Sequence, residues 1–142
     1  MKKILSLVVL MVLSTFVFAQ SGDDILGVWL TEGGKSKVKI TKVDGKYNGE
    51  IIWLKEPLRD GKPRTDIHNE DSSKHKNPIV GLKLINGFEW DDDEYEEGNI
   101  YDPENGKTYS CEITYDGIDK LNVRGYIGFS LLGRTTYWTR VK

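Results

Sequence analysis

The sequence predicts an all-β fold, a single antiparallel up-and-down barrel of about eight strands, and three observations predict it. Short runs that alternate apolar and polar residues recur along the chain, divided by turns bearing Gly, Asn, Asp or Pro. No stretch carries an apolar period of helical spacing over any length. Gly27-Val28-Trp29 near the start and Trp138-Thr139-Arg140 near the end supply a tryptophan for the first strand and an arginine for the last. A closed barrel needs such a pair to join its two chain ends, and a guanidinium over an indole face contributes about 0.5–2 kcal/mol. Gly27, Trp29, Trp138 and Arg140 are therefore the expected closure, with Gly27 permitting close backbone approach.

The elements follow in order. Residues 25–32 form the first strand, ended by Gly33-Gly34. Residues 37–43 turn Lys37 and Lys39 outward and Val38 and Ile40 inward, and Asp44-Gly45 is a favoured hairpin turn. Residues 47–54 place Tyr47, Ile51 and Trp53 on one face. Residues 80–85 reach Asn86-Gly87, which turns the chain into Phe88-Glu89-Trp90. Residues 99–101 lead into the turn Asp102-Pro103-Glu104-Asn105-Gly106, with proline preset and glycine supplying positive φ. Residues 107–115 have the cleanest period of two, Tyr109, Cys111, Ile113 and Tyr115 against Ser110, Glu112 and Thr114. Asp116-Gly117 turns again, and residues 121–127 and 134–141 complete the set. A sandwich has the same local pattern, but consecutive tight hairpins favour a meander.

Two segments break this rhythm. Residues 55–78 contain Pro57, Pro63, Pro78 and both histidines. So long a connection in a compact domain reads as a lid or recognition loop, here with a short helical turn around Asp71 to His75. Residues 89–97 pack seven acids into nine positions around Trp90 and Tyr95 and read as a solvated loop exposing both rings.

The N-terminus reads as an export signal. Met1-Lys2-Lys3 is basic, residues 4–18 are almost wholly apolar, and Val17-Phe18-Ala19 presents small residues where a signal peptidase cleaves. Residues 1–19 are the expected signal peptide and residues 20–142 a single β-barrel domain, exported to the periplasm or beyond, with no transmembrane segment in the mature chain. Removing Lys2 and Lys3 leaves 18 cations against 22 acids, a net charge of −4. That balance lacks the electrostatic footprint of a nucleic-acid binder. Cys111 is the sole cysteine, so the core alone must hold the fold.

Several blocks occur in a recognisable order: Asp24-Ile25-Leu26-Gly27-Val28-Trp29, Lys76-Asn77-Pro78, and Gly98-Asn99-Ile100-Tyr101-Asp102-Pro103. Asn105 to Tyr109, Leu121 to Gly128, Leu132-Gly133-Arg134-Thr135 and Trp138-Thr139-Arg140 follow. Together they resemble the secreted bacterial family catalogued as domain of unknown function 2147, over essentially the whole mature chain. The resemblance implies a lipocalin- or streptavidin-like barrel behind a signal peptide, with no established activity. Members often carry an arginine-rich stretch after the Asn-Pro, whereas Pro78 here runs directly into Ile79-Val80-Gly81. Ligand contacts made by that stretch do not carry over. The closure pair also resembles the lipocalin signature, a Gly-x-Trp on strand one with a cation beyond the last strand.

Candidate chemistry is sparse. His68 and His75 lie seven residues apart beside lysines at 74 and 76, a spacing that matches no established metal motif. Asp91-Asp92-Asp93-Glu94 lacks the glycine of a known calcium loop, so no metal site and no cofactor are assigned. There is no Gly-x-Ser-x-Gly elbow, and Cys111 reads as a small buried hydrophobe. No catalytic residue is assigned.

Binding of a small apolar or amphipathic molecule is the function the pattern favours. An eight-stranded barrel is just wide enough to be filled by side chains or to hold one small ligand. The candidate ligand residues are Tyr47, Trp53, Tyr109, Tyr115 and Arg134, an aromatic inner face plus a cation. Arg134 shares a strand face with Trp138 and would grip a ligand carboxylate bidentately if that face points inward, while Arg124 should face outward. Two alternatives stand beside this reading. One is a surface-mediated interaction or envelope-stress module with a filled barrel, motivated by Trp90 and Tyr95 and by the length of residues 55–78. The other is a hydrolase or isomerase at the barrel mouth.

Overall fold

A computed structural model describes residues 20–142; the expected signal peptide, residues 1–19, lies outside the described residues. In chain order the strands are β1 (Gly27–Leu30), β2 (Ser36–Val43), β3 (Lys46–Leu54), β4 (Leu58–Arg59), β5 (Lys62–Pro63), β6 (Lys83–Asp91), β7 (Glu94–Asp102), β8 (Lys107–Tyr115), β9 (Lys120–Tyr126) and β10 (Gly133–Arg140). Eight of them close into an antiparallel barrel in which every strand pairs with its chain neighbour and β10 returns to β1. This is the up-and-down barrel the turn chemistry predicts. β4 and β5 form a separate two-stranded hairpin within the long connection between β3 and β6.

The closure is built where β1 meets β10. Trp29 stands opposite Arg140 in the register, and the guanidinium carbon lies 4.3 Å from the indole centroid. The fully buried indole donates to the carbonyl of Ile25 at 2.8 Å. Arg140 donates to the carbonyls of Asp24 at 2.6 Å and Ile118 at 3.2 Å, and to the Asp119 carboxylate at 3.1 Å. One side chain thereby ties the N-terminal segment, the β8–β9 turn and the last strand together. Gly27 serves this junction through its backbone angle, φ +126°, since the nearest atom to an added Cβ is 3.8 Å away. Trp138 is buried but pairs opposite Leu121, one step further from this end, and belongs to the other half of the interior.

Aromatics fill the closed half. Residues Gly22–Ile25 form a 3-10 turn capped reciprocally by Ser21 and Asp24, so the first strand begins at Gly27 and not at Ile25. This turn plugs the barrel floor. Tyr95 donates to the carbonyl of Gly22 at 2.7 Å and lies 2.8 Å from the Tyr115 hydroxyl. Tyr47 donates to Asp23 at 2.6 Å, and Lys42 donates to the same carboxylate oxygen at 3.0 Å. The Trp90, Tyr47 and Tyr115 rings all pack on Tyr95, with the Trp90 centroid at 4.6 Å. Further along the core, Gly49 and Gly98 leave the space that Ile85 and Phe88 occupy.

Two expectations are corrected here and a third is filled in. Asn86-Gly87 is not a hairpin turn: β6 runs through it, and Gly87 (φ +71°) is the extra residue of a bulge held by Asn48 Oδ1, which accepts its N–H at 2.9 Å. Ile85 and Phe88 consequently both face the core. Residues 89–97 are not a loop but the β6–β7 hairpin, turning at Asp92-Asp93. Their acids lie mainly on the solvent side, while Tyr95 is fully buried and Trp90 half-buried. A period-two pattern was therefore present beneath the charge. Finally, residues 55–78 hold the β4–β5 hairpin and a 3-10 turn at Ser72–Lys74, the latter where a helical turn is expected. This excursion is pinned to the barrel by buried Asp66, which accepts from the Tyr101 hydroxyl at 2.7 Å and from Asn69 at 2.8 Å.

Candidate functional site

The opposite half of the barrel is hollow. A cavity of about 650 Å³ opens between the β1–β2, β7–β8 and β9–β10 connections and the excursion that follows β3. That volume falls within the ~300–1,000 Å³ typical of ligand sites. Its inner wall is apolar, with Ile51, Leu54, Ile79, Leu84, Val123 and Trp138 contributed by four strands and the segment before β6. Alternation along each strand produces this wall, because inward positions are apolar and outward ones polar.

Its rim is cationic and aromatic. Arg59 and Arg64 come from the β4–β5 hairpin region, and Arg134 from the start of β10, where it pairs opposite Gly125. Tyr101, Tyr109 and Tyr126 also line the cavity, and the Tyr109 hydroxyl accepts from Asn105 at 2.8 Å. Burial, then the hydrogen bond to Asp66, pushes the Tyr101 phenol above its ordinary range, so it is neutral throughout the physiological pH range. Ile127 and Leu132, which line the mouth, belong to an exposed apolar connection that includes Phe129 and Leu131.

The sequence-predicted ligand residues divide three ways. Tyr109 and Arg134 line the cavity. Tyr47 and Tyr115 face inward but belong to the aromatic floor at the other end, outside the cavity lining. Trp53 points away from the interior and is 40% exposed, with the Lys37 ammonium 5.0 Å from its centroid. The reason is a bulge in β3: Val38 pairs with Ile51 but Lys37 with Trp53, so Ile52 is an extra residue. One residue of slip flips the face, and Leu54 takes the inward position. Trp138, expected in the closure, lines the cavity. Arg124 faces outward opposite Glu112 and Thr135, as alternation predicts, and donates to the Thr135 hydroxyl at 3.1 Å.

Sequence reasoning missed Arg59, Arg64, Leu84 and Tyr126. Asp60-Gly61 signals a two-residue hairpin turn that pairs Arg59 with Lys62, but nothing local in the sequence folds that hairpin, or Arg64 after it, onto the barrel mouth. Cys111 is buried, and burial pushes its thiol up to about 12, which removes the thiolate a nucleophile requires. His75 Nε2 lies 2.7 Å from the Asn69 carbonyl oxygen. Among the described residues no three His, Cys, Asp or Glu side chains gather as a metal site, and no helix is long and apolar enough to cross a membrane.

Comparison with known proteins places this barrel in a family. The model of the family described as "Uncharacterized protein conserved in bacteria (DUF2147)" matches residues 27–140, from the start of β1 to the closing arginine of β10. The chain belongs to this family. Among solved structures it is similar to protein HP1028 from the human pathogen Helicobacter pylori, described as belonging to the lipocalin family. The two share 20% identity at a TM-score of 0.73, over 82% of each chain. At that identity the likeness concerns the fold: a lipocalin-like barrel. No curated protein matches the chain.

Proposed function

We propose that this DUF2147 protein is an exported binding protein that holds a small apolar or amphipathic molecule in the open half of its barrel. The observation that carries the reading is the division of the interior. One half is packed with interlocked aromatics, while the other leaves about 650 Å³ walled by Ile51, Leu84, Val123 and Trp138. A barrel evolved only as a scaffold would fill that space, because an unfilled apolar volume forfeits packing contacts. The lipocalin-like fold is compatible with this use. The competing idea of a surface module rested on exposed Trp90 and Tyr95 and on the length of residues 55–78; Tyr95 is buried, and Arg59, Arg64 and Thr65 of that segment line the cavity.

Export belongs to the same proposal and is supported by the basic head and apolar run of residues 1–18. A mature chain beginning at Gln20 in a periplasmic or extracellular fraction is the expected finding. For binding, the test is mass spectrometry of small molecules released from protein purified from its native envelope. A near-stoichiometric compound with an apolar body is expected. Protein that emerges empty and shows no saturable change in tryptophan fluorescence with apolar probes would overturn the reading.

A further inference from the structure

The open end contains more positive charge than its own structure uses. Arg59 Nη1 and Arg64 Nε are buried and have no hydrogen-bond partner among the described residues. Both arginines line the cavity, and so does Arg134, which makes no hydrogen bond or ion pair among the described residues. Arg64 has one distant partner, Glu56, at 3.4 Å from Nη2. A buried guanidinium N–H without an acceptor is costly, and native structures nearly always satisfy such groups.

The acids around the cavity are engaged elsewhere. Glu32 accepts from the Tyr137 backbone at 3.3 Å, Glu104 pairs with Lys35 at 3.7 Å, and Asp102 accepts from the Glu104 backbone at 2.8 Å. The arginines are held by structure: Arg59 follows from the β4–β5 turn, Arg64 N donates to the Pro57 carbonyl at 3.0 Å, and Ile79 N donates to the Arg64 carbonyl at 3.0 Å. Arg134 is fixed by its strand register opposite Gly125.

We propose that these three arginines form an anion site, and that the ligand is an amphiphile whose single anionic head group lies against Arg59, Arg64 and Arg134 while its apolar tail runs inward toward Leu84 and Trp138. This rests on the cavity being a ligand site and adds the chemistry of the head group. A carboxylate and a phosphate both suit guanidinium forks, which recognise planar or tetrahedral oxyanions through paired N–H donors. The polarity is fixed by the fold: charge at the rim, hydrocarbon at depth.

The test compares three twelve-carbon probes, dodecanoate, dodecyl phosphate and 1-dodecanol, by calorimetric titration below their aggregation concentrations. The anionic probes should bind at least about tenfold tighter than the alcohol, the scale of one charge-assisted hydrogen bond. The tighter of the two anions identifies the head group. Arg59→Gln and Arg134→Gln should each weaken anion binding about tenfold and leave dodecanol within about twofold, whereas Lys39→Gln, an equal loss of charge on the outer wall, should alter none of the three. Equal affinity of wild type for dodecanol and dodecanoate overturns the anion site and leaves the cavity reading intact, a result that needs no variant to fold. Equal losses for all three probes in the arginine variants also overturn it. Failure of every probe to bind overturns the site and the cavity together.

Discussion

At the closed end of the barrel, Arg140, Tyr95 and the Trp29 indole each hold a backbone carbonyl. At the open end, Arg59 and Arg64 bury nitrogens with no acceptor among the described residues. Both ends use large polar side chains in a low-dielectric interior, yet only one completes their hydrogen bonds from within the chain. Polar groups satisfied internally fix a structure, and those left unsatisfied at a cavity mark where something else completes them. The molecule is thus hydrogen-bonded from within at its base and carries unsatisfied guanidinium donors at its lip.

The contrast breaks most severely if the base is removed. Trp29→Ala should cost about 3–5 kcal/mol in chemical denaturation, the usual loss for a fully buried large aromatic. Arg140→Ala should also destabilise, and the double variant should lose less than the sum of the two, because residues in contact are coupled. Both variants, under conditions where they remain folded, should keep wild-type affinity for a cavity ligand. Next in size is Gly98→Ala, whose new methyl group would overlap the Phe88 ring, at about 1–3 kcal/mol of overpacking. Tyr95→Phe removes the donor to Gly22 and strands a buried carbonyl, a loss of about 1–3 kcal/mol.

A pH experiment sharpens the same comparison. The Cys111 thiol, ordinarily near 9.0, is pushed to about 12 by burial, chiefly, with the Glu112 charge adding to it. The folded state therefore retains a proton that the unfolded chain releases, so the contribution of Cys111 to stability should be constant below pH 9 and fall progressively as pH rises from 9 toward 12. Cys111→Ala should flatten part of that decline, and in the wild type a thiol reagent at pH 8 should label the protein only upon unfolding. The smallest effect belongs to the lip. Arg134→Gln should shift unfolding by no more than about 0.5 kcal/mol, since its side chain holds no other part of the chain, and Arg59→Gln should leave stability unchanged or raise it, because it removes a buried N–H without an acceptor.

How much of this was legible in the sequence follows the same division. The barrel, its closing Trp29–Arg140 pair and the inward Tyr109 all follow from local alternation and turn residues, which short-range physics determines, whereas alternation places Arg134 on the face of Trp138 and leaves open which way that face points. What escaped were the irregularities. The Ile52 bulge sends Trp53 outward, the Gly87 bulge erases an expected turn, and each depends on cross-strand register that only the closed barrel imposes. Residues 89–97 misled because charge density outweighed a strand pattern in which Trp90 and Tyr95 face inward. Arg59 and Arg64 escaped because their site is assembled by folding a 24-residue excursion back onto the mouth, a contact with no periodic signature.

Ligand bound in the open half should leave the closed half untouched. The chain has four tryptophans, and each marks a different region: Trp29 the closure, Trp90 the aromatic floor, Trp53 the outer wall and Trp138 the cavity. Titrating dodecanoate into nitrogen-15-labelled protein and following the four indole N–H signals by NMR separates these regions directly. The Trp138 signal should move and saturate while the other three stay in place. Movement of Trp53 or Trp90 with Trp138 unchanged would contradict a binding site in the open half of the barrel.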